Sequence, residues 1–143
     1  MRAVVQRVTE AKVVVAGETV GGIERPGLVV LVGVTHRDTI VQAHALAAKV
    51  HTLRILEGER SCADTDAPLL VISQFTLYAD TSKGRRPSWN NAALAAVAEP
   101  LVESFVGALR ASGAIVATGR FGADMLLSLV NDGPMTLVID VDA

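Results

Sequence analysis

The chain has 143 residues, of which 50% are hydrophobic and 20% are charged, so it is long enough to bury a core and too apolar to be a disordered segment. Its formal net charge of −2 excludes the global positive field of many tight, nonspecific nucleic-acid binders, although a local basic patch stays possible. Aromatic residues make up only 3% of the chain, and the small branched side chains that dominate instead suit layered β-sheets.

The first half of the chain is predicted to form strands and one helix. Val-rich stretches predict a hairpin that turns at Thr9 and Glu10. The continuous apolar run over 28–34 predicts a strand covered on both faces. Apolar residues at helical spacing over 39–51 predict a helix, which Asp38 can cap. The elements expected here are strands over 2–8, 11–16, 19–23, 28–34 and 54–56 and the helix over 39–51.

The second half begins with the strongest strand signal, the apolar run over 68–77. A helix over about 92–111 contains Pro100, which predicts either a kink or a helix that restarts there. Gly113 is suited to end this helix in the left-handed conformation. The other elements expected here are polar loops over 57–67 and 80–90 and strands over 114–118, 124–131 and 135–141.

This order of elements predicts one domain over residues 1–143 of the mixed α/β class. We expect two packed β-sheets in a barrel-like arrangement, with the helices on one side. Such an arrangement leaves strand edges and apolar faces to cover, and dimerisation is a common way to cover them.

Cysteine usage and hydropathy bear on where the protein works. The single cysteine, Cys62, cannot form an intramolecular disulfide, which suits a reducing compartment. The N-terminal stretch lacks the apolar core of a signal peptide, and no apolar run reaches the roughly 20 residues that span a bilayer. We therefore expect a soluble, cytoplasmic protein without a membrane partner.

The usual catalytic groups are scarce. His44 and His51 share one face of the predicted helix, but their Cα atoms would lie about 10 Å apart along its axis, which is too far for two ligands of one zinc ion. Cys62 has no nearby histidine in the sequence to activate it. No glycine-rich loop stands between a strand and a helix in the way that phosphate binding requires. We predict no metal site and no cofactor.

Two segments remain candidates for a site. Polar residues interrupt an otherwise buried strand at 73–76, and each buried polar group without a partner costs about 1–3 kcal/mol. This segment is therefore either a strand that leaves the core, with its hydroxyls bonded to backbone, or part of a site. The sequence Asn131-Asp132-Gly133-Pro134 is either an ordinary β-turn or a functional segment whose Gly–Pro bond can be cis.

Six segments, in this order, resemble the D-aminoacyl-tRNA deacylase family along nearly the whole chain. They are Met1–Val8, Leu31–His36, Ser73–Asp80, Lys83–Ser88, Gly119–Met125 and Leu129–Pro134. One tetrapeptide would be weak evidence, but six ordered segments make a chance resemblance remote.

The resemblance implies a homodimer with two active sites at its interface. It places one wall of each site at Ser73, Gln74, Phe75 and Thr76. It also implies that Gly133 and Pro134 form a cis pair that reaches into the partner subunit's site. Main-chain carbonyls there would hold the amino group of the substrate and leave no room for an L side chain.

Further positions match residues with supporting roles in the family. Gln6, Phe121 and Met125 match positions that line or support a pocket for the terminal adenosine, and Arg7 matches a residue that braces the Gly–Pro segment. The basic residues Lys83, Arg85 and Arg86 would either contact tRNA phosphates or form an ordinary solvated loop.

The expected function is hydrolysis of the ester bond of D-aminoacyl-tRNA, and activity on glycyl-tRNA is a further expectation from the family. The 2′-hydroxyl of the tRNA would assist catalysis, and Thr76 would position groups without attacking. The expected partners are tRNA and a second copy of the chain, and not DNA. The alternatives are a noncatalytic tRNA-binding dimer and a less selective nucleotide esterase.

Overall fold

The computed structural model describes all residues from Met1 to Ala143. A 3-10 helical turn over Phe75–Tyr78 follows the fourth strand. The helices are α1 (Ile40–Thr52), α2 (Cys62–Thr65) and α3 (Ala95–Ala111). The strands are β1 (Arg2–Val15), β2 (Glu18–Ile23), β3 (Gly27–Gly33), β4 (Leu69–Ser73), β5 (Val116–Thr118) and β6 (Leu126–Asp140).

The six strands form one curled sheet in the order β2-β1-β3-β4-β5, with β6 paired to the other edge of β1. The pairs of β3 with β4 and of β4 with β5 are parallel, and the pairs made by β1 are antiparallel. The two ends of the order meet, because a Cβ atom added to Gly21 of β2 would lie 2.1 Å from the carbonyl oxygen of Thr118 on β5. The barrel-like, mixed α/β fold is confirmed, and the two expected layers are parts of this one sheet.

The core has two parts because the central strands are buried on both faces. Along β4, Leu69 and Val71 pack with Phe105 of α3 in the larger cluster, which also includes the buried face of α1. Leu70 and Ile72 point into the barrel and belong to the smaller cluster. Alternate side chains of one strand therefore serve the two clusters, and the helices cover one side of the sheet as expected.

A buried ion pair joins the start of β1 to the segment before α1. The Met1 ammonium donates to Asp38 Oδ1 at 2.7 Å and to the Val141 carbonyl at 2.7 Å, and the side chains of Met1 and Asp38 are 0% and 1% exposed. Asp38 therefore does not cap α1. The N-cap is Thr39, which forms a capping box with Gln42.

Several expected element boundaries are wrong. The predicted hairpin at Thr9 and Glu10 is absent because β1 continues through these residues as one strand paired with β6. Residues 54–56 form no strand, only one bridge from Leu56. The strand expected over 68–77 ends at Ser73. The last two expected strands are one strand, β6, with a local bulge.

The expectations for α3 hold in part. The helix begins at Ala95 and runs through Pro100 without a break, and Gly113 follows its end at φ 93°. None of the helices is both long and apolar enough to cross a membrane.

Candidate active site

An apolar cavity of about 630 Å³ lies between the end of β4, the start of α3 and the loop before β6. Three of the five aromatic residues of the chain, Phe75, Trp89 and Phe121, line it. Such a concentration of aromatic side chains at one opening is typical of a site for a flat or apolar ligand. We call this space the active cavity. Its other lining residues include Ser73, Gln74, Ala93, Val102, Asp124, Met125 and Leu127.

The polar segment after β4 forms the wall of this cavity. The Gln74 N–H donates to the Val32 carbonyl at 2.7 Å, which extends the parallel pairing by one bond before the chain turns. The turn is close-packed, since a Cβ atom on Gly33 would lie 3.1 Å from the Gln74 carbonyl oxygen. The side-chain amide of Gln74 donates to Thr76 Oγ1. Ser73, Gln74 and Phe75 line the cavity, whereas Thr76 lies beside it and bonds Gln74.

Trp89 is a residue that the sequence analysis missed. Its ring packs edge-on against Phe75, with the centroids 5.5 Å apart, and both side chains are about half exposed. A hydrogen bond holds the loop that carries Trp89 in place: His36 Nε2 donates to the Asn90 carbonyl at 2.6 Å. Trp89 is the only tryptophan in the chain and lies in a polar loop, and this unusual position could have identified it from the sequence.

The absence of a side chain at Gly119 leaves room for the side chain of Met125, which lines another wall of the active cavity. A Cβ atom there would lie 2.6 Å from the sulfur of Met125, so any larger residue would displace this side chain. Phe121 and Met125 both line the cavity. The structure therefore brings these two residues and the segment after β4 to one cavity.

The Gly133–Pro134 segment lies outside the lining of this cavity. One residue of β1, Arg7, faces four residues of β6, Asp132 to Met135, so the four form a bulge. The Gly133–Pro134 peptide bond is cis. Both residues are exposed, and neither lines the active cavity of its own protomer.

Arg7 contacts this bulge through most of its guanidinium group. Nε donates to the Asp132 carbonyl at 3.1 Å, Nη2 donates to the Gly133 carbonyl at 3.3 Å, and Nη1 donates to the Ile55 carbonyl at 3.1 Å. Nε also lies 3.2 Å from a carboxylate oxygen of Asp132. Because a planar guanidinium binds several acceptors in fixed directions, Arg7 holds the bulge rigid.

The remaining predicted residues lie elsewhere. Gln6 does not line the active cavity of its own protomer; its amide donates to Thr136 Oγ1 beside the bulge. Lys83, Arg85 and Arg86 are exposed on a loop closed by paired backbone bonds between Asp80 and Ser88. This basic loop directly precedes Trp89 in the chain. None of its three basic side chains forms an ion pair.

Comparison with known proteins identifies the family of this chain. The family described as "D-Tyr-tRNA(Tyr) deacylase" matches residues 4–140. A protein of Acidothermus cellulolyticus called D-aminoacyl-tRNA deacylase is 74% identical over 99% of this chain and 100% of its own length. One of Streptomyces coelicolor with the same name is 65% identical over the same shares. The chain belongs to the D-aminoacyl-tRNA deacylase family. It is a hydrolase that acts on D-aminoacyl-tRNA.

Solved structures with the deacylase fold are also similar to this chain. A structure described as "c-Myc DNA Unwinding Element Binding Protein" has a TM-score of 0.92 and 36% identity, with both chains covered in full. Another, of a probable eukaryotic D-amino acid tRNA deacylase, has a TM-score of 0.84 at 18% identity over 98% of each chain. The second likeness concerns the fold alone.

The active cavity offers few groups for acid–base or nucleophilic chemistry. Asp124 is the only ionisable residue among those that line the active cavity. No group of three or more His, Cys, Asp or Glu side chains could hold a metal ion. Cys62 is buried elsewhere, and burial raises the pKa of its thiol to about 12, so it stays protonated at neutral pH. Hydrolysis of an activated ester needs little beyond orientation of the substrate and stabilisation of the oxyanion, and main-chain N–H groups are able to provide the latter in enzymes generally.

Proposed function

We propose that the enzyme cleaves D-aminoacyl esters in a cavity that is completed by Gly133 and Pro134 of the partner subunit. The observation that carries this proposal is the position of the bulge. It is exposed, braced by Arg7, and absent from the lining of its own active cavity. A rigid segment that projects from one protomer is suited to enter the cavity of another.

The surface around β6 supports a homodimer. β6 pairs only with β1, so its outer edge is free along the strand. Leu126, Val130 and Val138 on β6 are between 50% and 74% exposed. A long edge strand with exposed apolar side chains is normally covered by another element. In a symmetric dimer, each copy of the chain covers this edge of the other copy.

Selection against L-amino acids follows from main-chain geometry. Carbonyl oxygens of the bulge would bind the substrate's amino group from a fixed direction. The L side chain would then point into the Gly133–Pro134 backbone, while a D side chain would point outward. Rejection by obstruction does not depend on the kind of D side chain. Glycine has no side chain to obstruct, so glycyl-tRNA is also expected to be cleaved.

Catalysis is proposed to use main-chain donors and the substrate itself. The first N–H groups of a helical turn have no acceptor within it, and no side chain caps the turn at Phe75–Tyr78. The N–H groups of Phe75 and Thr76 are therefore available to stabilise the oxyanion. The 2′-hydroxyl of the terminal adenosine, held against Phe121 and Met125, would activate or position water. This scheme requires no metal and no cofactor.

Thr76 is expected to position and not to attack. Its hydroxyl accepts from the Gln74 amide and has no basic partner to activate it. Thr76→Ala should retain measurable turnover, with kcat lowered about tenfold or less through loss of one hydrogen bond. Single-turnover assays with D-tyrosyl-tRNA would measure the fall. Abolished turnover, together with an aminoacyl adduct trapped on Thr76 of the unmodified enzyme, would contradict this role.

The basic loop is proposed to bind phosphates of the tRNA. Replacing Lys83, Arg85 and Arg86 together by alanine should weaken tRNA binding and flatten its dependence on salt. The slope of log affinity against log salt should fall by about one for each phosphate that the loop no longer binds. Titrations at several salt concentrations would measure both effects. The matched control replaces Arg25, Arg54 and Arg60, three exposed arginines on other parts of the fold. Unchanged affinity in the loop variant would show that this loop is only a solvated surface.

The overall proposal is tested by comparing D-tyrosyl-tRNA with L-tyrosyl-tRNA and following the released amino acid. Rapid release from the D form alone is the expected result. Release from neither would favour a noncatalytic tRNA-binding dimer, and equal release from both would favour a nonselective esterase. We expect the cytoplasm as the location and tRNA, not DNA, as the nucleic-acid partner. Excess duplex DNA should therefore leave the rate unchanged.

A further inference from the structure

A second cavity, of about 410 Å³, opens beside the active cavity. It runs between one face of α3 and the segment that follows β5, and Ser73, Val102 and Phe121 line both spaces. A ligand bound against Phe121 could therefore continue into it. We call this space the α3 groove. The lining residues that bear on its chemistry are Glu99, Glu103, Gly107, Arg110 and Arg120.

The α3 groove carries four charged side chains that do not neutralise one another. Glu99, Glu103, Arg110 and Arg120 are at least partly exposed, and none of them takes part in an ion pair. Arg110 donates one bond, from Nη2 to the Val116 carbonyl at 2.9 Å, which fixes its guanidinium and leaves other N–H groups free. The side chain of Arg120 has no hydrogen-bond acceptor in the chain. The groove thus presents guanidinium donors and carboxylate acceptors with unused bonding capacity.

Gly107 gives an independent sign that the groove is kept open. A glycine inside a helix destabilises it by roughly 0.5–1 kcal/mol relative to alanine. No packing contact explains this glycine, because a Cβ atom added at Gly107 would meet nothing within 4 Å. The residue lies between Glu103 and Arg110 on the lining face of α3. Its effect is to keep the floor of the groove free of a side chain.

We infer that the α3 groove binds the cytidine that precedes the terminal adenosine of the tRNA. This inference rests on the proposed function, which places that adenosine against Phe121 and Met125. Arg120, which precedes Phe121 at the wall shared with the active cavity, binds the phosphate between the two nucleosides, and Arg110, farther along the groove, binds the 5′-phosphate of the cytidine, because a guanidinium fork matches phosphate oxygens. Glu103 accepts a hydrogen bond from the 4-amino group of cytosine.

The spacing along α3 fits one nucleotide. Glu103 follows Val102, which lines both spaces, and Arg110 lies seven residues farther along α3, or about 10 Å along the helix axis, which separates a site for the base from a site for the cytidine's own 5′-phosphate. Uracil would present an oxygen to the Glu103 carboxylate in place of an amino group. The groove therefore favours cytidine both by attraction and by repulsion of the competing pyrimidine.

A comparison of two substrates tests the phosphate contact. Arg120→Ala should raise KM for D-tyrosyl-tRNA about tenfold, as expected when one phosphate is no longer bound. Hydrolysis of D-tyrosyl-adenosine, which lacks this phosphate, should keep its unmodified rate. Arg60→Ala, an exposed arginine outside the groove, is the control and should change neither. Melting temperatures of both variants establish that they are folded.

Each other outcome overturns the inference. An equal loss on both substrates would show that Arg120 acts by shaping the active cavity, and no loss on either would show that the groove does not bind the tRNA. Failure of the proposed function itself is distinguishable. In that case the unmodified enzyme would hydrolyse neither D-tyrosyl-tRNA nor D-tyrosyl-adenosine.

The base contact has its own test. The unmodified enzyme should have a lower KM for D-tyrosyl-tRNA with cytidine at the penultimate position than for the same tRNA with uridine there, by about tenfold for one base contact. Glu103→Gln should remove most of this preference, because an amide can donate as well as accept. Glu24→Gln, which changes an exposed carboxylate outside the groove, should keep it. A preference that is absent from the unmodified enzyme, or unchanged in Glu103→Gln, overturns the assignment of the base.

Discussion

Asp38→Ala should lower the free energy of unfolding by about 3–5 kcal/mol, because it leaves the Met1 ammonium buried without a counter-charge. Asp38 Oδ1 accepts from this ammonium at 2.7 Å, and Oδ2 accepts from the Thr35 N–H at 2.8 Å. Both charged groups are almost fully shielded from solvent. Denaturant titration measures the loss, and the melting temperature should fall by about 10 °C or more.

The control for this variant is Asp140→Ala. Asp140 also accepts a short bond from a cation, Arg2 Nε at 2.7 Å, but the two side chains are 41% and 35% exposed. Exposed ion pairs contribute about 0–1 kcal/mol, so Asp140→Ala should cost far less than Asp38→Ala. Equal losses in the two variants would show that burial of the Met1–Asp38 pair does not set its energetic effect.

Arg7→Ala should lower kcat/KM for D-tyrosyl-tRNA about 100-fold, because displacement of a positioning segment by about 1 Å has effects of this size. Three backbone carbonyls, those of Ile55, Asp132 and Gly133, lose a donor in this variant. The slow reaction with L-tyrosyl-tRNA should not fall in parallel, since a looser bulge obstructs the L side chain less. The ratio of the D and L rates should therefore shrink, which steady-state assays on both substrates measure.

Two further variants separate positioning from general loss of charge or stability. Arg7→Lys should not restore activity, because a single ammonium cannot reproduce the fork of donors. Arg25→Ala removes an exposed arginine that donates to the Asp66 carbonyl at 2.9 Å and lies outside the active cavity, so it should leave both rates unchanged. A D-to-L ratio that stays constant in Arg7→Ala would show that the bulge does not select between enantiomers.

The elements that local pattern determines were predicted well. The apolar run of β3 and the period of α1 reflect burial of one or both faces, and sequence patterns record burial directly. The junctions were predicted less well. Nothing local shows that Thr9 and Glu10 lie inside one long strand, because pairing with the distant β6 keeps β1 extended there. Likewise, Asp38 precedes a helix and is a good capping residue by type, but the Met1 ammonium binds it instead.

The residues of the site also divide into those that the sequence predicted and those that it did not. The segments at 73–76 and 119–125 were identified by their resemblance to a family, and the structure brings them to one cavity. From the residues alone, a strand that leaves the core was the favoured interpretation of the first segment over a site. The packing of Trp89 against Phe75 and the groove beside α3 could not be predicted, because they depend on where the loop before α3 and the segment after β5 pack. Position in sequence does not record such contacts between distant segments.

Subunit complementation tests the cross-subunit filter directly. Phe75→Ala impairs the active cavity and leaves the bulge intact, whereas Arg7→Ala impairs the bulge and leaves the cavity intact. Co-expression with two different affinity tags isolates dimers that contain one protomer of each kind. In such a dimer, the cavity of the Arg7→Ala protomer faces the intact bulge of its neighbour. We expect these mixed dimers to regain about half the activity of the unmodified dimer on D-tyrosyl-tRNA, since one of two symmetric sites is complete. Mixed dimers no more active than the two parent variants would contradict a filter that one protomer supplies to the other.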